Sequence, residues 1–346
     1  MNSLLTLLKG FLMGSADVVP GVSGGTMALI TGIYTKLIDA IKSVDGTALS
    51  LLVRFRFKEL LAHVHWQFLL PLFSGIILAV LFFTRVIPLP LLIFTHPEPI
   101  YGLFFGLIVG SIILLMMDIR PIGYWKIVYL AVGTLIGYWV VNLVPTNTPD
   151  ALWFIFLSGS VAISAMILPG ISGSFILLIL GKYAHIFGQF AEIGGPNNTQ
   201  AIQILAVFGA GLVVGLAAFS RFLSWLLHRY SVPTLCVLIG FLIGSLVVIW
   251  PWQTRSYETL TDEISVSATD PRLQELVTDG TEPHLPEYYI PADLQADPPT
   301  VVRVRKKLIH SEPIMPGESN SVALPIVAMV LGCAVVIGIG QLAKRQ

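Results

Sequence analysis

The sequence predicts an all-α polytopic membrane protein made of two inverted repeats, each a re-entrant helical hairpin followed by three transmembrane helices. Three observations carry this. Of the 346 residues, 55% are hydrophobic and only 12% charged, a balance foreign to soluble domains. The stretch Asp17-Val18-Val19-Pro20-Gly21-Val22-Ser23-Gly24-Gly25-Thr26 separates two apolar runs, each shorter than the about 20 residues a helix needs to cross a bilayer. The pattern then returns: Ser15, Ala16, Pro20, Gly21, Ser23, Gly24, Ile30, Gly32 and Tyr34 match, at one offset, Ser164, Ala165, Pro169, Gly170, Ser172, Gly173, Ile179, Gly181 and Tyr183. Short apolar segments interrupted by Gly and Pro at corresponding places in two halves mark a substrate site inside a membrane.

In chain order, the first hairpin covers 3–41. A polar stretch with Lys42, Arg54, Arg56 and Lys58 leads to spans at 66–86, 100–117 and 124–144. The second hairpin covers 151–193, and its spans are 201–223, 232–250 and 322–342, the last delayed by an insertion at 251–321. The repeat continues into the spans. GIILAVLFFTRVI at 75–87 aligns with GLVVGLAAFSRFL at 211–223, pairing Gly75 with Gly211 and Arg85 with Arg221. Gly106, Gly110 and Ser111 align with Gly240, Gly244 and Ser245. The domains so defined are repeat 1 (1–144), repeat 2 (151–250 with 322–342) and the insertion.

If each hairpin leaves on the face where it began, each half crosses the membrane an odd number of times, and the halves take opposite orientations. Charge agrees. Lys9, Lys36, the bases between Lys42 and Lys58, Arg120, Lys126, Arg221, Arg229, Lys344 and Arg345 fall on one side, the cytoplasmic one, with both termini. The insertion holds twelve of the 20 acidic residues and falls outside. Within it Val301 to Ile309 alternates like a strand. This predicts a multi-pass membrane protein with both termini cytoplasmic.

Other classes are poorly served. Formal net charge is zero, so there is no nucleic-acid footprint. The two cysteines, Cys236 and Cys333, lie in apolar spans and read as small hydrophobes. Gly14-Ser15-Ala16 imitates a leader cleavage site, but no basic region precedes the apolar run. No cofactor or metal motif is present. Gly21-Val22-Ser23-Gly24-Gly25 fits the G-x-S-x-G spacing of hydrolases, yet that elbow needs a strand and a base within reach. An intramembrane serine hydrolase is the weaker reading.

The motif chemistry follows from its residue types. Pro20 and Pro169 stop the helices before them, and Gly21, Gly24 and Gly25 admit backbone shapes closed to other residues. Thr26 and Ser174 open new helices whose first amides and positive dipole ends face the break. Two such ends brought together make an anion site. Its predicted residues are Gly21, Ser23, Gly24, Gly25, Thr26, Gly170, Ser172, Gly173 and Ser174. The plainer reading, small residues that let helices pack closely, explains one copy better than two. Asp17 is the acid of the motif, matched by Met166 in the second copy. It is assigned coupling to a proton or sodium ion, with capping of the broken backbone as the alternative. Arg85 and Arg221 end equivalent spans and suit a phosphate; as the alternative they snorkel at helix ends.

The strings DVVPGVSGGTMALITGIY and LPGISGSFILLILGKY, with this order of spans, resemble the bacterial and archaeal polyprenyl-phosphate transporter family (PopT) over nearly all of the chain except the insertion. The resemblance implies a flippase. It would return undecaprenyl phosphate, the lipid carrier of cell-wall peptidoglycan synthesis, from the outer to the inner leaflet. It also implies a carboxylate after each tyrosine, where this chain has Thr35 and Ala184. Broken-helix sites equally serve small anions such as inorganic phosphate or a carboxylate. Membrane lipids are the surroundings on this reading, and a homo-oligomer is left open.

Overall fold

A computed structural model describes residues 3–18, 23–87, 92, 95–143, 148–191, 193, 198–265, 287–293, 300–317 and 322–344. The first motif region forms α1 (Ser3–Asp17), α2 (Gly24–Ile30) and α3 (Tyr34–Lys42). The polar stretch after it, unassigned from sequence, folds as α4 (Gly46–Val53) and α5 (Phe57–His63). Asp45 caps α4 by accepting from the Ala48 amide at 3.0 Å and also meets the His63 ring. The amide first, then His63, holds the Asp45 carboxyl below the usual carboxylate range.

Then come α6 (Trp66–Arg85), α7 (Pro97–Asp118) and α8 (Tyr124–Val141). The second motif region forms α9 (Leu152–Ile167), α10 (Gly173–Ile179) and α11 (Tyr183–Ala191). It is followed by α12 (Asn198–Arg229), α13 (Ser231–Ser245) with a 3-10 turn at Leu246–Ile249, and α14 (Ala323–Lys344). Among the described residues, five helices are long and apolar enough to cross a membrane: α6, α7, α8, α12, and α13 with its 3-10 turn. The apolar run of α14 covers Ala323–Gly338. Between α13 and α14 stands an antiparallel sheet, β1 (Gln253–Ser265), β2 (Glu287–Asp293) and β3 (Thr300–Pro313), in the order β1-β3-β2. The alternation at Val301 to Ile309 lies within β3.

The two motif regions share a local plan. Helices of 15, 7 and 9 residues in the first correspond to 16, 7 and 9 in the second. Both short middle helices end the same way. Gly32 (φ 69°) and Gly181 (φ 63°) adopt the left-handed conformation. The next residue then donates back five positions, Ile33 to Ala28 and Lys182 to Leu177. This is the glycine-terminated helix end.

Glycine also sets the long-range packing, in four parallel helix pairs. Gly10 and Gly14 of α1 meet the backbone of Leu72 and Ile76 on α6, and Gly75 meets Leu7 in return. Equivalently, Gly159 of α9 meets Phe208, and Gly211 and Gly215 of α12 meet Phe156 and Ser160. The other two pairs join helices from different halves. Gly102, Gly106 and Gly110 of α7 lie on Pro325, Met329 and Cys333 of α14, while Gly133 and Gly137 of α8 lie on Val237 and Phe241 of α13. Along each glycine row the residue numbers climb together, as in 10 and 14 against 72 and 76, or 211 and 215 against 156 and 160. Small residues allow this backbone-to-backbone approach, which replaces the hydrophobic drive that lipid abolishes.

One buried charge among the described residues ties the turn between α10 and α11 to the start of the second hairpin. Lys182 is 1% exposed; its ammonium reaches Asp150 and the Thr148 carbonyl and lies 5.6 Å from the Phe154 ring centroid. Hydrogen bonding to Lys182 is the main cause that holds the Asp150 carboxyl below the usual range. A carboxylate lowered on folding stabilises above its unfolded value, about 4, and that contribution fades as pH falls through the folded value. Asp150→Asn is expected to lower the unfolding temperature at pH 7, because it strands a buried ammonium. The gap to wild type should close as pH drops below about 4, measured by thermal unfolding in detergent.

The junction of the two broken hairpins

In the first hairpin, α1 brackets α2. Asp17 Oδ1 accepts from the Gly24 amide at 2.7 Å at one end, and Lys9 Nζ donates to the Thr31 carbonyl at 2.7 Å at the other. The helix dipole therefore meets a carboxylate at its positive end and an ammonium at its negative end. The spacing fits: eight residues of α1 rise about 12 Å, close to the length of the seven-residue α2. Ser23 adds a second cap, its Oγ accepting from the Gly25 amide at 3.1 Å.

The second hairpin lacks these caps. Met166 stands where Asp17 would be, and Ser172, the N-cap of α10, makes no side-chain bond to the helix. Its hydroxyl pairs instead with that of Ser174 at 2.7 Å, in an exposed position. Pro169 lies in the turn that follows the end of α9 at Ile167.

The two tips touch. Thr26 Oγ1 accepts from the Gly170 amide at 2.9 Å, and the Tyr34 hydroxyl donates to the Ile167 carbonyl at 3.1 Å. Ser23 Oγ lies 3.4 Å from the Leu168 carbonyl and 3.5 Å from that of Met166. Gly25 sits against Ile167, whose carbonyl oxygen would be 2.7 Å from an added Cβ. Ser23, Gly24, Gly25 and Thr26 are buried, whereas Ser174 is open. Of the predicted site residues, then, Ser23, Gly25, Thr26 and Gly170 meet at the junction, Gly24 is tied to Asp17, and Ser172, Gly173 and Ser174 flank it on α10. Pro20 and Gly21 lie outside the described residues. Arg85 is exposed at the end of α6. Arg221 is exposed on α12 and donates to the Ala217 carbonyl at 2.8 Å.

Tyr34 and Lys9 were not singled out from sequence. Tyr34 belongs to the repeated pattern with Tyr183, and a lysine inside an apolar run needs a partner; both signals were present.

Apolar spans combined with two broken hairpins meeting tip to tip define a multi-pass membrane protein with the build of a transporter. Residues 13–266 match the family described as undecaprenyl phosphate translocase-like. A Vibrio cholerae protein named polyprenyl-phosphate transporter is 40% identical over 267 residues, covering 77% of this chain and 82% of its own length. A Staphylococcus aureus protein of the same name is 30% identical over 259 residues, covering 71% and 86%. The chain belongs to the undecaprenyl phosphate translocase-like family. No solved structure matches it. Family and relatives are named for transport, not catalysis. The Ser23 hydroxyl, the nucleophile of the hydrolase reading, has backbone partners.

Proposed function

We propose that this protein is a flippase that carries undecaprenyl or a related polyprenyl phosphate from the outer to the inner leaflet of a bacterial cytoplasmic membrane, returning the carrier to peptidoglycan synthesis. The observation that carries this is the contact between the two hairpin tips, beside the uncapped start of α10. In hairpin 1 the Asp17 carboxylate fills the start of α2. At the equivalent place in hairpin 2, Met166 supplies no charge, and Ser172, Gly173 and Ser174 stand where a substrate phosphate takes the role of that carboxylate. The relatives' name supports a polyprenyl phosphate over a free small anion.

The proposal includes two inverted repeats with re-entrant hairpins, and the insertion as an outer domain. Support comes from helix direction. α7 and α8 are joined by a tight connection and run oppositely, α14 runs with α7, and α14 is the counterpart of α8. Support for re-entry is that Leu7 and Lys36, at the start and the return of hairpin 1, both lie by the N-terminal half of α6, on Gly75 and Phe68. Cysteines at Ser3 and Thr47 in a chain freed of Cys236 and Cys333 should both label from the cytoplasm; labelling from opposite sides overturns re-entry.

Asymmetry between the halves suggests the state. Ser224 of α12 donates to Asp39 of α3, with Lys42 at 3.4 Å and His228 at 3.5 Å closing the cluster. Ile38 and Leu223 are 0% and 2% exposed there, but their counterparts Phe187 and Ile87 are 52% and 38% exposed. The cytoplasmic side is sealed and the outer side open, so alternation would close the second while opening the first. In this cycle Arg85 receives the headgroup outside and Arg221 assists release inside.

Transport is tested in vesicles by following a fluorescent polyprenyl phosphate across the bilayer; a purified chain that moves none overturns the reading. Asp17 is the proposed coupling group. Asp17→Asn keeps an acceptor for Gly24 and removes the charge, so transport should lose its dependence on pH or sodium. Asp17→Ala should also cost about 1 kcal/mol of stability through the lost cap. Wild-type transport by the Asn variant at every pH removes the coupling role.

A further inference from the structure

We propose that the base of the β-sheet carries a second binding site for the lipid phosphate, an anion fork made by Arg255 and Trp252 that opens onto an apolar pocket. It rests on the reading above for its substrate and its outward orientation.

Arg255 lies on β1, its guanidinium 4.7 Å from the ring centroid of Tyr101 on α7. Its Nε and Nη2 are buried and have no hydrogen-bond partner among the described residues. These two nitrogens form one edge of the planar group, the edge that grips two oxygens of a phosphate side by side. Trp252 is 4% exposed, and its indole Nε1–H, a group that can only donate, is also unpartnered among the described residues. Buried polar groups in native proteins are nearly always paired, so these unfilled donors at the base of the sheet, on Arg255 of β1 and on Trp252 just before it, call for a missing acceptor. The neighbouring indole of Trp250 shows the contrast, since it donates to the Ile314 carbonyl at 2.9 Å. No carboxylate pairs with Arg255 among the described residues. Water would leave the buried edge of this half-buried cation without a counter-charge, whereas an anion with several oxygens supplies both the charge and the acceptors.

The pocket beside the fork says which anion. It has a volume of about 400 Å³ and is lined by Phe105, Leu246, Trp250, Ile314 and Met315, almost wholly apolar. It shares a wall with the fork: Phe105 lies one turn beyond Tyr101 on α7, and the Trp250 ring packs at 5.4 Å on Phe105 and 5.3 Å on Trp252. A phosphate carrying a hydrocarbon chain uses both parts. Inorganic phosphate uses only the fork, and a neutral lipid only the pocket. At the end of α13, the site stands on the outer side, where the substrate waits before transport.

The test is native mass spectrometry and titration of the full chain in nanodiscs with undecaprenyl phosphate, undecaprenol and inorganic phosphate. Wild type should hold two lipid phosphates, Arg255→Gln one and Gly25→Ala one. Arg255→Lys keeps the charge over Tyr101 without the fork and should weaken the outer site about tenfold, the equivalent of one charge-assisted bond. Trp252→Phe removes only the indole donor and should weaken it less. An Arg255→Gln or Arg255→Lys variant that binds like wild type overturns the outer site and leaves the hairpin reading standing. One lipid bound, lost in Arg255→Gln and kept in Gly25→Ala, upholds the outer site and removes the hairpin one. Equal affinity for inorganic phosphate or undecaprenol overturns the assignment to a lipid phosphate, and no binding by wild type overturns both sites.

Discussion

Gly25→Ala is expected to cut lipid-phosphate transport in reconstituted vesicles by tenfold or more while the protein still folds. A methyl group at this position would lie 2.7 Å from the Ile167 carbonyl oxygen and 3.2 Å from Ser23 Oγ. Neither neighbour yields easily, because Ile167 O also receives the Tyr34 hydroxyl and Ser23 Oγ caps α2. The tips must separate, and the Thr26–Gly170 bond stretches with them. Overpacking of this kind costs about 1–3 kcal/mol, small beside the sum of the four helix seams but about tenfold or more in any step that needs the tips in register. Thr26→Val reaches the same junction by another route, leaving the buried Gly170 amide unpaired at about 1–3 kcal/mol. Transport unchanged in both variants would show that the junction has no part in substrate passage.

Gly106→Val is expected to prevent accumulation of folded protein. An added Cβ would sit 1.9 Å from the Met329 carbonyl oxygen and 2.6 Å from its carbon. These are backbone atoms of α14, so relief requires two helices to part along their length. Gly240, the repeat counterpart, faces the same obstacle at 2.1 Å from the Leu130 oxygen. Each substitution should cost more than about 3 kcal/mol, beyond the usual range for an extra methylene in a packed core. Gly123→Val, where nothing lies within 4 Å, is the matched control. Thermal unfolding and yield after detergent extraction separate the outcomes; a Gly106→Val protein as stable as wild type would contradict the seam.

Much of this architecture is legible in the sequence because lipid imposes a simple rule, about 20 apolar residues per helical crossing. That rule finds α6, α7, α8, α12 and α13, although α12 runs six residues past the expected end at 223. Proline and glycine break apolar helices at identifiable places, so the two breaks could be read as well, although α2 and α10 start at Gly24 and Gly173, after Ser23 and Ser172, rather than at the expected Thr26 and Ser174. Partnership was harder. The glycine rows on α7 and α8 announce close contacts, but nothing local says that their partners are α14 and α13, far along the chain. The role of Asp17 was open for the same reason: a carboxylate near a helix break caps or couples according to where the next helix turns back. Short helices such as α4 have composition too ordinary to stand out, and Asp45 is their one terminal signal. The unfilled donors of Arg255 and Trp252 depend on α7 lying against the sheet base, a contact across more than a hundred residues.

The seams between α7 and α14 and between α8 and α13 bear on biogenesis. During synthesis α8 emerges from the ribosome with its glycine face bare until α13 arrives, and α7 waits longer still, through synthesis of the whole β-sheet, for α14. That last helix is the keystone: a nascent chain cut at Asn320 would hold a completed junction of hairpins yet leave α7 unpartnered, a ready client for chaperones and membrane proteases.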